Sequence, residues 1–430
     1  MSARAGSLPR ATHGAALQPR FSDWYSRTRA RSQALFELIT DDAYYSQPID
    51  LRHPIVFYDG HLPAFSFNTL VKRALGEPGI DAQLEKLFAR GIDPSEDQAG
   101  RGPAQSWPSR ATVRQFTAEA DRRVRAALQR DDLDRPGDPL LHRSEAVFAI
   151  IEHEAMHQET LLYMWHRLPL EQKRRPQGYQ PRVEGTPPAR EWIRIPAGRV
   201  TLGADDEELA FGWDNERPHF ETEVASFTIQ RHDVTNAEYL EFVNQGGPAP
   251  LFWERHAGRW YWRGMFDRIP LPPAWPVYVS QAEATAYAEW RGWRLPTEAE
   301  FQRAAYGTAG QGERTYPWGE DSPSREHGVF DFSSWDPEPA GSHPAGRSAW
   351  GVDDLVGNGW EWTSTVFAPF PGFRPLPSYP EYSADFFDGE HMVMKGASPA
   401  TARELIRPTF RNWFRPRYPY VYATFRCVRP

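Results

Sequence analysis

The residues best suited to chemistry lie in the run His153-Glu154-Ala155-Met156-His157-Gln158-Glu159. On a helix, side chains four residues apart share one face, so the two imidazoles can converge on a single metal ion. The same HExxH spacing marks zinc proteases, where Glu154 would be the general base. A buried, hydrogen-bonded histidine pair would also show it, so the pair alone leaves three readings open. Glu159 points roughly 200° away from His157 on a helical wheel, and His166 lies roughly 220° round from His153. Glu159 is therefore expected in an outer shell or against a neighbouring element. His142 has a suitable azimuth but is ~16 Å away along a helix axis.

The third ligand must come from elsewhere, and His61 is the best placed, in Pro54-Ile55-Val56-Phe57-Tyr58-Asp59-Gly60-His61-Leu62-Pro63-Ala64-Phe65. Ile55 to Phe57 bury the segment, Gly60 permits a tight backbone, and His61 is expected where a helix resumes. Three neutral imidazoles leave coordination positions open, as catalysis requires. Zinc, iron, copper and nickel all accept imidazole, so ligand type does not choose the metal.

Such ligands need a rigid frame. Apolar residues recur at three- and four-residue spacing in Asp23–Leu38, Phe65–Leu75, Thr112–Arg130 and Arg143–Leu168, which predicts four helices. Ser144 is expected to start the last of them. Four helices joined by loops fit an antiparallel bundle, a scaffold that places metals between facing helices. Glu171–Arg190 is rich in Pro, Gly and charge and reads as a linker. Beyond it come short extended runs, Trp192–Ile195, Glu223–Ile229 and Tyr422–Val428, with helices expected at Asn236–Asn244, Gln281–Arg291 and Thr297–Ala305. The expected class is α+β multidomain: a disordered lead-in over 1–20, a helical domain over 21–170, a linker over 171–190 and a second domain over 191–430.

Composition narrows the function classes. A formal charge of −8 argues against a nucleic-acid footprint, which needs a basic face. No run of 18 apolar residues argues for a membrane span, and the basic N-terminus lacks the apolar stretch of a secretory signal. The lone cysteine, Cys427, asks for no oxidising compartment, so a cytoplasmic setting is expected.

With these residues in view, the chain resembles the ergothioneine-forming sulfoxide synthases and the related selenoneine synthases over nearly its whole length after residue 20. The first half resembles the DinB-type bundle, with His153, His157 and Glu159 as its HxxxHxE motif and Gly60-His61 upstream. The second half resembles the formylglycine-generating-enzyme (sulfatase-modifying-factor) domain, a C-type-lectin-like α+β fold. Its motifs occur in order: Ile195-Pro196-Ala197-Gly198, Asp233-Val234-Thr235-Asn236, Trp293-Arg294-Leu295-Pro296-Thr297-Glu298, Gly357-Asn358-Gly359-Trp360-Glu361-Trp362 and Phe410-Arg411-Asn412-Trp413.

The resemblance implies an iron(II)- and oxygen-dependent enzyme that links sulfur or selenium to the imidazole C2 of hercynine, with His61, His153 and His157 holding Fe(2+). It implies that Asn412 anchors the betaine carboxylate and that Trp413 and Phe414 face its quaternary ammonium. A tyrosine near the iron, Tyr379 or Tyr382, is implied as the acid. Asn358 and Glu361 are candidates for a structural Ca(2+) site. Formylglycine generation uses a cysteine pair, which a single Cys427 does not supply. Two departures bear on the donor: Phe414 stands where users of γ-glutamylcysteine carry an aspartate, and Met156 where a glutamine is common. Arg110 resembles the donor-side arginine, and Trp107 and Gln105 would line a sugar pocket. These features lean towards selenoneine synthesis with a selenosugar donor, against cysteine or γ-glutamylcysteine. A zinc hydrolase and a non-catalytic binding module are the other classes.

Overall fold

The computed structural model of the protein describes residues 18–89, 107–310 and 312–429. The expectation of a disordered lead-in falls mainly on residues outside this range, and Gln105 lies outside it too. Among the described residues, no helix is long and apolar enough to cross a membrane.

The first half is helical: α1 (Gln18–Glu37), α2 (Ile55–Ser66), the short α3 (Ala82–Leu87), α4 (Arg110–Ala127) and α5 (Glu145–Arg167). Asp81 caps α3 by accepting from the backbone N–H groups of Gln83 and Leu84, and Ser109 caps α4 through Thr112 N–H. Three local expectations need correction. Ile55 to Phe57 open α2 and His61 sits inside it, not at a restart. The helix expected over Phe65–Leu75 ends as α-helix at Ser66 and continues as a wider π-helical stretch, Phe67–Ala74. Pro63, inside α2, has no N–H to donate and crowds the preceding turn, which accounts for the change of winding just after it. Ser144 precedes α5 but adopts φ +60° and makes no side-chain cap bond.

The second half is built from small sheets. Strands β1 (Trp192–Ile195), β4 (Phe227–Gln230) and β12 (Val428–Arg429) form one sheet in the order β1-β4-β12, so the two ends of the domain meet on β4. Strands β2 (Gly198–Leu202) and β3 (Phe220–Val224) pair, and β5 (Trp253–His256), β6 (Arg259–Arg263) and β7 (Arg268–Pro270) make a meander. A four-stranded sheet has the order β10-β9-β8-β11, from β8 (Gly359–Val366), β9 (Met392–Ala397), β10 (Asn412–Phe414) and β11 (Ala423–Thr424). The single strand expected over Glu223–Ile229 is two strands of different sheets, broken at Ala225-Ser226. Helices α6 (Asn236–Asn244), α7 (Gln281–Trp290) and α8 (Glu298–Tyr306) each open on a capping box, Thr235/Glu238, Ser280/Glu283 and Thr297/Glu300. The architecture is α+β, a helical half followed by a sheet-rich half.

The residues suggested for calcium are engaged by protein. Glu361 accepts from Arg426 at 2.6 and 2.8 Å, and Asp233 adds a third buried contact to that guanidinium at 3.0 Å. Asn358, at φ +67°, accepts from Glu338 N–H at 2.8 Å and donates to its carbonyl at 2.9 Å, replacing a missing strand neighbour. Their side-chain atoms are engaged in holding the fold together.

Helix α5 joins the two halves and has three faces. Glu154, Gln158 and Trp165 turn to α1: Glu154 accepts from Arg29 Nη1 (2.7 Å) and Ser32 Oγ (2.5 Å), and Trp165 Nε1 donates to Leu35 O. Glu152, Met156, Glu159, Tyr163 and His166, spaced four and three apart, turn to the sheet-rich half. Glu159 accepts from Trp360 Nε1 (2.7 Å), Ser398 Oγ (2.7 Å) and Thr401 Oγ1 (3.0 Å). His153 and His157 occupy the remaining face, towards α2.

Candidate metal centre

His61 from α2 and His153 and His157 from α5 offer ring nitrogens that all lie within 4.8 Å of one another. Each ring is held by carbon. Phe57 stacks on His61 with centroids 4.9 Å apart, Phe65 stacks on His153 at 3.5 Å, and Tyr58 stands 5.8 Å from His157. His61 Nδ1 lies 2.9 Å from the carbonyl of Phe88, the residue that ends α3. A carbonyl only accepts, so Nδ1 carries the proton and Nε2 keeps its lone pair for a ligand. Gly60 explains the fit: a β-carbon there would come within 2.5 Å of the Phe88 ring. The glycine lets the ring pack against α2 and so brings the carbonyl to His61; no turn is involved.

Burial pushes His61 down to about 4 and holds His153 and His157 well below the usual imidazole range, with the neighbouring histidines adding to the effect. The three are neutral at neutral pH, the state that binds metal. Both ring nitrogens of His153, and Nδ1 of His157, are buried with no hydrogen-bond partner in the protein. Buried polar atoms are nearly always partnered, so this donor set fits a metal ion. Glu154 cannot serve as a hydrolase base here, because its carboxylate is turned to Arg29 and Ser32 on another face of the helix.

The sheet-rich half brings aromatic side chains to the same place. Tyr379 lies 5.2 Å from Phe65 and 6.1 Å from His153, ring to ring. Tyr382 donates its hydroxyl to Met156 Sδ at 3.1 Å, one residue before His157. Its ring stacks on Trp213 at 4.1 Å and meets the edge of Trp413 at 5.3 Å.

Strand alternation separates two residues expected to act together. Trp413 packs with Phe367 (4.3 Å) and Tyr382, whereas Phe414 packs with Tyr418 (4.9 Å) and Tyr163 (6.4 Å). On the edge strand β10 the two rings therefore have different companions. Asn412 opens the strand, and its Oδ1 is held by the backbone N–H of Trp413 at 2.9 Å. Tyr163 is also seven residues beyond Met156 on α5, about 10 Å further along the helix.

On the donor side, Trp107 stands 6.3 Å from Phe57, with its buried Nε1 lacking a partner. Arg110 is engaged by Asp41 at 2.7 Å and lies over the ring of Tyr44. Sequence reasoning missed Arg52, whose guanidinium lies 5.4–5.8 Å from the ring centroids of Tyr418, Tyr163 and Phe414 and donates from Nε to Tyr418 Oη at 2.9 Å. It also missed Trp213. Nothing in the local sequence of either points to the site; both arrive there through long-range contacts.

Residues 25–161 match the DinB superfamily, and residues 179–430 match the sulfatase-modifying factor enzyme 1-like domain. A hercynine oxygenase from Mycolicibacterium thermoresistibile is 34% identical over 438 residues, covering 93% of this chain and 92% of that protein. The chain belongs to the hercynine oxygenase family. Within the family, the hercynine oxygenase of Mycobacterium tuberculosis is likewise 34% identical, over 94% of this chain and 97% of its own. Ergothioneine biosynthesis protein 1 of Schizosaccharomyces pombe is 29% identical over 96% of this chain and 56% of its own length. Membership of this family makes the chain an oxygen-dependent enzyme.

Proposed function

We propose that this chain is an iron(II)-dependent enzyme that uses oxygen to join selenium or sulfur to the imidazole C2 of hercynine, with a selenosugar as its preferred donor. The observation that carries the reading is the set of three neutral imidazoles with converging ring nitrogens, those of His153 and Nδ1 of His157 unpartnered, met by tyrosines from the other half of the chain. Iron held by His61, His153 and His157 would supply the oxygen activation. The protein's own contribution is placement. Trp413 offers an electron-rich face to the quaternary ammonium, beside Tyr382. The Asn412 amide, with its oxygen fixed by Trp413 N–H, presents NH2 to the carboxylate. Tyr379 or Tyr382 holds the proton needed near the reacting atoms. The cytoplasmic setting read from the lone cysteine stays part of this proposal.

The donor preference rests on the surroundings of Phe414. An aspartate there would receive the ammonium of γ-glutamylcysteine; this chain presents a ring with the Arg52 guanidinium above it. An ammonium there meets a ring already covered by a guanidinium, whereas a neutral sugar can lie against the neighbouring rings. The second reading, an ergothioneine-forming sulfoxide synthase using cysteine or γ-glutamylcysteine, draws on the names of the relatives. The two are separated by a competition assay: iron-loaded protein, hercynine and oxygen, with selenosugar, cysteine and γ-glutamylcysteine supplied together. The selenosugar product is expected to dominate and the γ-glutamylcysteine product to be least. Dominance of γ-glutamylcysteine would return the protein to the second reading.

A further inference from the structure

We infer that Arg407 is a positioning residue for Tyr382: it locks the loop bearing that tyrosine to the helix bearing the histidines. This rests on the proposed function for the part that Tyr382 plays, but the geometry stands on its own contacts.

The contacts form a closed circuit that begins and ends on α5. Arg407 meets Glu152, the residue before His153, with two parallel bonds of 2.9 Å, from Nη1 to Oε1 and from Nη2 to Oε2. The other edge of the same guanidinium meets Glu216, from Nε at 2.7 Å and from Nη2 at 2.5 Å. Glu216 also accepts from Trp213 N–H at 2.9 Å and from Thr409 Oγ1 at 2.5 Å. The turn it closes, Trp213 to Glu216, grips the tyrosine loop in two ways. The Trp213 ring stacks on Tyr382, and Ser383 donates to Asp214 Oδ1 at 2.5 Å while accepting from Asn215 Nδ2 at 2.9 Å. Tyr382 then returns to α5 through its bond to Met156 Sδ, four residues after Glu152.

Two features favour placement over simple stability. A buried cation between two carboxylates is a poor stabiliser, because desolvation of all three charges offsets their attraction. A planar guanidinium bound on two edges, however, fixes both the distance and the angle between its partners, which a lysine ammonium cannot do. All three groups are buried, with side-chain exposures of 11% for Arg407, 3% for Glu152 and 1% for Glu216. The phenol is thus located relative to the histidine helix by a chain of ion pairs, hydrogen bonds and one ring stack that leaves and returns to the same helix.

The test compares parent, Arg407→Gln and Arg407→Lys in the full chain, with Glu216→Gln as the milder break should Arg407→Gln fail to fold. Protein carrying 3-fluorotyrosine gives a fluorine NMR signal for Tyr382, assigned by its loss in Tyr382→Phe and read without metal. In Arg407→Gln and Arg407→Lys that signal is expected to shift and broaden. In the iron-loaded enzyme, kcat is expected to fall at least tenfold, with KM for hercynine and iron content within twofold of the parent. An unmoved Tyr382 signal, or a lysine variant that matches the parent, overturns the inference. A parent that turns over no hercynine, but whose Tyr382 signal still answers to Arg407, upholds the clamp and sinks the functional reading.

Discussion

Two rows of side chains on α5 are treated in opposite ways. On the row facing the sheet-rich half, Glu159 takes three donors and Glu152 takes both arms of Arg407. On the row facing α2, His153 is as buried and His157 partly so, yet together they leave three buried nitrogens without a protein partner. The rows are one residue apart in sequence and roughly 100° apart in azimuth. Burial therefore does not distinguish a structural polar group from a functional one; satisfaction does. A carboxylate that already has its donors binds two halves of a protein, and an imidazole that lacks them awaits a ligand.

The comparison breaks most visibly by removing the imidazoles. His61→Ala, His153→Ala and His157→Ala should each lose iron and turnover while the metal-free protein stays folded, because no protein partner is orphaned on the α5 side. Metal analysis with thermal unfolding checks this, and full iron occupancy in His61→Ala would remove that residue from the set. The opposite row should respond the opposite way. Glu159→Ala strands three buried donors and should cost about 3 kcal/mol or more in stability. Glu159→Gln keeps the shape and should retain iron, since its side chain points to Trp360 and not to the metal face; loss of metal in that variant would undo the division into rows.

Acid should act on the two rows in opposite senses, because burial lowers the histidines and raises Glu159 and, to about 7, Glu152. The His61 pKa is depressed in the folded state, so between its unfolded value near 6.5 and about 4 the unfolded chain binds more protons. Stability contributed by this group is present above that window and lost as pH falls through it, by about 3 kcal/mol for His61 alone. His153 and His157 shift the same way. Denaturant titrations of the metal-free parent and His61→Ala from pH 7 to pH 4 would show it as a difference between the two profiles, and a flat difference would mean the His61 imidazole is not desolvated. The smallest expected effect sharpens the division between the faces of β10. Trp413→Leu should weaken hercynine binding by roughly 0.5–2 kcal/mol, and histidine, without the quaternary charge, should bind both proteins alike. Phe414→Leu should leave hercynine affinity nearly unchanged and alter the donor ranking instead, because its ring faces Arg52 and Tyr163. Equal effects of the two substitutions on hercynine would show that the faces are not separate.

Much of this was legible before any coordinates. The four-residue spacing places His153 and His157 on one face of α5, and the helical wheel correctly turns Glu159 away from them. Helices α6, α7 and α8 fall where they are expected, to within one residue at each end. The change from three- and four-residue periodicity to short alternating runs separates a helical half from a sheet-rich half. In each case the determinant lies within a few residues of the element it specifies.

What the tertiary structure decided depends on partners far away in the chain. Gly60 looks like a turn glycine in sequence; only the Phe88 ring lying against it makes it a contact glycine inside a helix. Asn358 and Glu361 have the donor atoms of a calcium site, and only Glu338 and Arg426 show that those atoms are taken. Trp413 and Phe414 are neighbours in sequence and strangers in space, because a strand sends successive side chains to opposite faces and each finds its own companions. Arg52 meets Tyr418 across 366 positions, and Arg407 meets Glu152 across 255. Ligand spacing is a property of the helix and can be read along it; whether a polar group is satisfied, and by whom, is a property of the packed whole.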